Sequence, residues 1–227
     1  MTLKEQAVQL YSTVFKDDPH SFVSDFINRY FENNCRYTVK DGKIVSMLFL
    51  LEGEIKADGR VYPAAYLYAA ATHPDYRMRG LMKDLIEKAK QETVDKGIVL
   101  ATKPAEQSLY GYYARFGFET RFFSSSPAPL GDAESLTAEQ YLKLREELLK
   151  DVPHLYLTDT DFLLDGLKLV GNSEFCAATD MSDGKCQVKE YISKNTDPLK
   201  GEIPFAMLIT PEKVNLPQKL YFGLAMD

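Results

Sequence analysis

The chain has 227 residues, a formal net charge of −6 and 45% apolar residues, enough for one large domain or one and a half ordinary ones around a sizeable core. No apolar run reaches membrane-spanning length, the Met1-Thr-Leu-Lys-Glu start has no signal-peptide pattern, and the acidic balance argues against a general nucleic-acid surface. The three cysteines, Cys35, Cys176 and Cys186, are odd in number and scattered, which argues against a disulfide framework or a zinc cluster and makes the cytoplasm the simplest location.

Apolar residues recur at helical spacing from Leu3 to Phe15 and again from Ser21 to Phe31, so two helices open the chain. Arg36 to Val39 and Lys43 to Glu52 flank Asp41-Gly42, a favoured two-residue turn, and read as a hairpin. A further strand at Arg60 to Tyr62 passes Pro63 and runs into Ala64 to Thr72. Leu81 to Lys96 has a helical stripe with Gly97 just past its end. Ile98 to Ala101 is a short buried strand, Glu106 to Phe116 a helix and Phe118 to Phe123 a closing strand. Strand, helix, strand after a meander predicts an α+β fold whose mixed sheet has one parallel pair. Residues 124–131, Ser-Ser-Ser-Pro-Ala-Pro-Leu-Gly, form a linker by composition. Beyond it the pattern predicts helices over Thr137 to Lys150 and Asp159 to Leu169, then strands near Glu174 to Thr179, Lys185 to Ile192, Ile203 to Ile209 and Lys219 to Ala225.

The most informative stretch is Ala70-Ala-Thr-His-Pro-Asp-Tyr-Arg-Met-Arg-Gly-Leu-Met82, a small-residue strand that turns directly into a helix. Pro74 biases His73 to an extended conformation and stops the ladder. The first turn of the next helix presents unpaired backbone N–H groups at the electropositive end of the peptide dipole. Gly80 opens dihedrals closed to other residues. Arg77 and Arg79 add fork-shaped donors suited to phosphate oxygens. An anion site follows.

Thr72 to Met82, with Arg77-x-x-Gly80 at its centre, resembles the coenzyme A pyrophosphate motif of the GNAT acetyltransferase superfamily. Met82 stands where that family commonly has Gly or Ala, and Arg79-Gly-Leu-Met82 resembles versions in the bacterial enhanced-intracellular-survival branch. One helix and one strand downstream, Leu109 to Glu119 resembles the family's Tyr-x-x-x-Gly-Phe segment through Tyr113, Gly117 and Phe118. The likeness covers about residues 1–123 and implies a GNAT domain there. Residues 132–227 form a C-terminal α+β region whose helix, helix, strand, strand order echoes the first half; it is either a degenerate second GNAT-like half or a lid pairing with the first sheet.

The resemblance implies acetyl-CoA as cosubstrate. The backbone of Ala70, Ala71 and Thr72 would pair with the pantetheine arm, and Arg77, Met78, Arg79, Gly80, Leu81, Met82 and Lys83 would hold the pyrophosphate. A main-chain N–H near Ala70 would stabilise the developing oxyanion. Tyr113 would donate its phenolic proton to the departing thiolate, a phenol being protonated at neutral pH. Tyr110 and Tyr112 are further hydroxyls on the same helix. No carboxylate lies on Ala64 to Thr72 or Ile98 to Ala101. The general base is therefore unassigned among Glu52, Glu54, the terminal carboxylate of Asp227 and a water relay. His20, His73 and His154 lack metal-ligand spacing, so no metal is expected. These features point to an acetyl-CoA-dependent N-acetyltransferase transferring to a primary amine of a small molecule or peptide by direct attack. The alternative is a non-catalytic acyl-CoA-binding or sensing protein. No nucleic-acid or membrane partner is expected. The oligomeric state is open, a homodimer being common in families of this size.

Overall fold

A computed structural model describes residues 1–124, 132–181 and 186–226. All of the expected linker except Ser124 lies outside these residues, as do Lys185, where a strand is expected to begin, and Asp227. Helix α1 (Leu3–Val14) is fixed by a capping box in which Thr2 accepts from the Glu5 N–H and Glu5 accepts from the Thr2 N–H. Helix α2 (His20–Asn34) follows, and both lie across the hairpin of β1 (Cys35–Lys40) and β2 (Lys43–Ala57) and the long strand β3 (Arg60–Thr72). Strand β3 runs unbroken through Pro63. That residue sits opposite Glu54 of β2, and pairing on the other edge begins only at Ala64, so no strand partner is available there for an N–H that proline lacks.

Helix α3 (Leu81–Glu92) crosses to β4 (Val99–Thr102), which pairs parallel with Ala64–Leu67 of β3. The expected helix over Leu81 to Lys96 thus ends at Glu92 and finishes in a 3-10 turn, Val94–Lys96, before Gly97 adopts φ +83°. Helix α4 (Gln107–Ala114) and β5 (Glu119–Ser124) follow, and β6 (Glu134–Ser135) and α5 (Ala138–Leu148) come after the undescribed stretch.

The later chain departs from the sequence pattern in three places. A strand, β7 (His154–Leu157), precedes the second helix. The helix expected over Asp159 to Leu169 shortens to α6 (Thr160–Leu164), and Lys168–Gly171 is instead strand β8, pulled extended by its antiparallel partner β9 (Phe175–Asp180). After β10 (Gln187–Ser193) and β11 (Ile203–Ile209), the last expected strand contracts to β12 (Tyr221–Phe222), because Leu224 takes φ +47°.

The large sheet is mixed, in the order β12-β7-β2-β3-β4-β11-β5, with β1 paired to the first half of β2. Strand β11 enters antiparallel between β4 and β5, so strands from both sides of residues 124–131 share this sheet. It contains a second parallel pair, β12 with β7, where the sequence pattern predicts one. A smaller sheet, β10-β9-β8-β6, packs against α5.

Alternation along the central strands feeds two cores. Met47, Phe49, Leu51, Ala64, Tyr66 and Tyr68 face α1 and α2; Leu48, Leu50, Ala65 and Leu67 face α3 and α4. Burying each large apolar side chain contributes about 1.5–3 kcal/mol.

The second sheet is tied to the first by a buried ion pair. Arg145 of α5 donates twice to the Glu190 carboxylate of β10, Nε at 2.8 Å and a terminal nitrogen at 3.1 Å, while Tyr141 and Tyr221 also donate to it. Glu190 is fully enclosed, and a Cβ on Gly223 would lie 1.7 Å from its Oε1, so this position needs glycine for lack of space. Arg145→Met, which strands the carboxylate, is expected to lower unfolding free energy by about 3–5 kcal/mol in urea titrations. Adding Glu190→Leu should restore most of that loss, since no buried charge then lacks a partner.

Candidate active site

The site begins at an irregularity in β3. Phe49 pairs with Tyr68 and Met47 with Ala71, so the single residue Leu48 faces both Ala69 and Ala70. This bulge places Ala69 at φ +48°, a strained conformation for alanine. The bulge also switches the parity of the strand. Before it, even-numbered residues face the α1/α2 core; after it, Ala69 and Ala71 do, and Ala70 turns toward α3 and α4.

Beside the bulge the sheet opens. Pairing of β3 with β4 stops at Leu67 and Thr102, where the Thr102 hydroxyl donates to the Leu67 carbonyl at 3.1 Å. From Tyr68 to Thr72 the edge of β3 facing β4 has no strand against it among the described residues, while its other edge stays paired with β2.

The chain then turns through Pro74–Tyr76 to α3. His73 caps this turn by accepting from the Asp75 N–H at 3.3 Å. Met78 at φ +59° and Gly80 at φ +80° fold the following loop so that backbone groups face outward at the helix start. Nothing would touch a Cβ on Gly80, so its glycine is required by backbone conformation and not by space. Helix α3 has no side-chain cap, and its first intrahelical donor is the Asp84 N–H, bonded to the Gly80 carbonyl. The N–H groups of Leu81, Met82 and Lys83 therefore precede the helical ladder. Arg77 is braced on the Thr72 carbonyl, and Arg79 on the Asp75 carbonyl and the face of the Tyr76 ring. Both guanidinium groups remain exposed beside the turn.

A groove of about 450 Å³ runs along these features, bordered by Ala70, Thr72, the whole run from Arg77 to Lys83, and Tyr112 and Tyr113 of α4. Ala71, by contrast, is fully buried in the α1/α2 core and offers the groove only its main chain. Met82 lines the groove while its side chain packs against the α3/α4 core. The open strand edge and the cationic helix start suit an extended ligand with an anionic end.

A second cavity, about 490 Å³, adjoins the groove and shares Val14, Ala70, Leu109 and Tyr113 with it. Burial pushes the Tyr113 phenol up to about 12, partly offset by a hydrogen bond with Thr102. It is protonated at neutral pH and stands where the two spaces meet. Of its neighbours, Tyr110 donates to the Pro204 carbonyl at 3.0 Å and Tyr112 borders the groove alone. Tyr66, buried at the cavity wall, donates to the Met226 carbonyl at 3.3 Å.

Of the carboxylates weighed from sequence, Glu52 and Glu54 lie elsewhere, and Asp227 is outside the described residues. Glu54 accepts from Tyr156, and Glu52 and Glu54 sit opposite Ala65 and Pro63, at the end of β2 remote from the pairing with Ala71 and Thr72. The sequence pattern did not single out Asp18 or Lys103, both of which line the second cavity, or Tyr11, read only as part of a helical stripe. The one local signal was a polar aromatic, Tyr11, on an otherwise apolar helical face.

Comparison with known proteins identifies the family and the fold. The family model described as an acetyltransferase (GNAT) domain matches residues 2–121. A comparison with curated proteins gave no match. Among solved structures, a GCN5-related N-acetyltransferase from Kribbella flavida superposes with a TM-score of 0.67 at 16% identity, covering 92% of this chain and 70% of that one. A putative acetyltransferase from Pyrococcus horikoshii gives 0.63 at 11% identity over 98% and 91%. Eis1 from Mycobacterium abscessus gives 0.59 at 13% identity over 86% and 56%, so this chain spans little more than half of that protein.

Lys103, at the end of β4, lines the cavity with its ammonium over the Phe205 ring at 4.7 Å. Burial, assisted by Lys189, lowers it from 10.5 to about 8. The unfolded chain holds that proton to higher pH, so Lys103 costs stability below about 8 and the cost fades as pH rises toward 10.5. In NMR of reductively 13C-methylated protein, one lysine resonance is expected to titrate near 8 and to be missing in Lys103→Met.

Proposed function

Because the chain belongs to the GNAT acetyltransferase family, we propose that it is an acetyl-CoA-dependent N-acetyltransferase acting on a primary amine of a small molecule or peptide. The observation that carries this reading is the meeting of two spaces at one buried phenol: the groove of the phosphate turn and the second cavity share Ala70 and Tyr113.

The groove holds the cosubstrate. Leu81, Met82 and Lys83 offer main-chain N–H groups to the pyrophosphate, with Arg77, Arg79 and Lys83 as charged donors around them. The open edge of β3 from Ala70 to Thr72 pairs with the pantetheine arm, using the main chain of Ala71 and the small side chain of Ala70. That arrangement sets the thioester at the bulge, where the main-chain N–H near Ala70 receives the oxyanion. The amine approaches from the second cavity and attacks the thioester directly. Tyr113 supplies the proton that the leaving thiolate needs, a role suited to a phenol kept neutral by burial.

Residues 1–123 are read as the catalytic GNAT unit and residues 132–227 as a region serving the same site, since β11 flanks β4 and Met226 borders the acceptor cavity. The Arg79-Gly-Leu-Met82 run and the overlap with Eis1 favour the enhanced-intracellular-survival branch. The scattered, odd set of cysteines favours the cytoplasm as its location. No helix among the described residues is long and apolar enough to cross a membrane.

Calorimetry with acetyl-CoA tests the groove. Gly80→Asp, which sets a carboxylate beside the helix start and strains the φ +80° backbone, is expected to weaken binding at least tenfold, about 1.4 kcal/mol, without unfolding the protein. Retained affinity would remove the phosphate turn from the site. Tyr113→Phe should leave acetyl-CoA affinity within about threefold and lower kcat by roughly 10²-fold with an active acceptor. Tight cosubstrate binding without acetylation of any amine would favour the sensing-protein reading.

A further inference from the structure

We propose that Tyr68, Tyr11 and Asp18 form a proton relay that takes the first proton from the acceptor amine, a step for which the sequence pattern leaves the base unassigned. The inference rests on the N-acetyltransferase reading above.

The three side chains border the same cavity as Tyr113. The Tyr11 hydroxyl donates to Asp18 Oδ2 at 2.8 Å and lies 3.1 Å from the Tyr68 hydroxyl. A hydroxyl carries one proton, and Tyr11 commits its own to a carboxylate, which can only accept. Tyr68 must therefore be the donor to Tyr11. A phenol that donates its proton retains lone pairs, so the Tyr68 oxygen can accept an N–H from a ligand in the cavity. The wire points outward from the cavity wall to a half-buried carboxylate at the foot of α1. Its central ring is rigid: Tyr11 packs on Phe15 and Phe26, and Phe26 meets the Tyr68 ring edge-on at 5.3 Å.

Burial pushes the Tyr68 phenol up to about 12 and the Tyr11 phenol higher still. Neither hydroxyl rests as a phenolate near neutrality, so each can only pass a proton on as it receives one. The step balances. The ammonium gives one N–H proton to the Tyr68 oxygen, Tyr68 gives its own to Tyr11, and Tyr11 gives its own to Asp18, which returns it to water. The neutral amine then forms the C–N bond to the thioester carbon, and the C–S bond breaks. Sulfur leaves with the Tyr113 proton, and the second amine proton restores Tyr113.

Other charged groups on the cavity are Lys16 and Asp17 beside Asp18, Glu106 ahead of α4, and Lys103. Lys103 is the rival base, because its lowered pKa leaves part of it uncharged near neutrality.

The test compares two amines of equal shape, ethylamine and methoxyamine, at about pH 7.5, where the first is an ammonium ion and the second is already neutral. Asp18→Asn, Tyr11→Phe and Tyr68→Phe should each lower kcat/KM for ethylamine by roughly 10²-fold while changing that for methoxyamine by less than about threefold. Calorimetry with acetyl-CoA confirms that each variant is folded, and Asp18→Asn and Tyr11→Phe serve where Tyr68→Phe fails to bind. Equal losses on both amines, or none, would overturn the relay. An ethylamine-selective loss in Lys103→Met but not in Asp18→Asn would overturn it in favour of the lysine. Wild-type protein that binds acetyl-CoA yet acetylates neither amine would overturn the N-acetyltransferase reading and the relay with it.

Discussion

Everything at the site depends on one extra residue in β3. The bulge that sets Ala69 and Ala70 against Leu48 does three things at once. It reverses the facing of the strand, so Tyr66 and Tyr68 line the second cavity while Ala70 borders both that cavity and the groove. It bends the strand, as bulges do. It also coincides with the last rung between β3 and β4, where Thr102 closes on the Leu67 carbonyl. Without the bulge, Ala70 and Ala71 would exchange faces. Alanine at φ +48° is disfavoured, and the surrounding core holds it there: Ala69 and Ala71 are buried against the helices α1 and α2.

An open strand edge invites pairing with another chain. Here the exposure is short, from Tyr68 to Thr72, and α4 and the start of α3 stand over it as groove walls. Strand β4 cannot swing across to close the gap, because β11 grips its other edge through Met207, Leu208 and Ile209. The C-terminal residues thus brace the first half of the sheet. The Glu190 cluster fixes α5 and β12 to the small sheet. Strand β12 lies beside β7 on the large sheet, and the Met226 carbonyl takes the Tyr66 proton at the cavity wall. A disturbance at Arg145 can reach the acceptor pocket through three elements, with no contact to either ligand.

Much of the first half is legible because local signals agree there. Asp41-Gly42, the Pro74 stop and Gly80 each specify a turn by dihedral preference, and the helical stripes of α1 to α3 match their buried faces. The phosphate turn needs only contiguous residues, so a linear motif contains it. The bulge was not legible, since a run of three alanines, Ala69 to Ala71, gives no signal and alanine does not favour positive φ; the conformation of Ala69 comes from the register that Leu48 and the cores impose. Strand β8 failed for the same kind of reason. Its Leu169 and Val170, with Leu167 before them, suit a helix end as well as a short strand, and β9 decides between them. The cavity as a whole was not legible because Tyr11, Asp18 and Lys103 are scattered along the chain and meet only in the folded packing of α1, β3 and the end of β4.

The electrostatic layout explains why the two spaces must be separate. The groove presents fixed positive charge and unpaired N–H groups to solvent, which draws in an anionic ligand but would repel an ammonium acceptor. The cavity is lined near its inner end by phenols, which are neutral and can each donate or accept. Charged side chains line it as well: Lys16, Asp17, Asp18, Lys103 and Glu106. A thioester carbonyl placed at the junction therefore meets donors whose protons are held firmly by burial, Tyr113 above all. The acceptor, in turn, must shed a proton before its nitrogen can attack, and Asp18 is the cavity carboxylate that hydrogen bonds through Tyr11 connect to the interior. In the proposed reaction burial thus has opposite uses on the two walls: it keeps the Tyr113 phenol protonated until sulfur departs, and it keeps Tyr68 and Tyr11 from trapping the proton they pass.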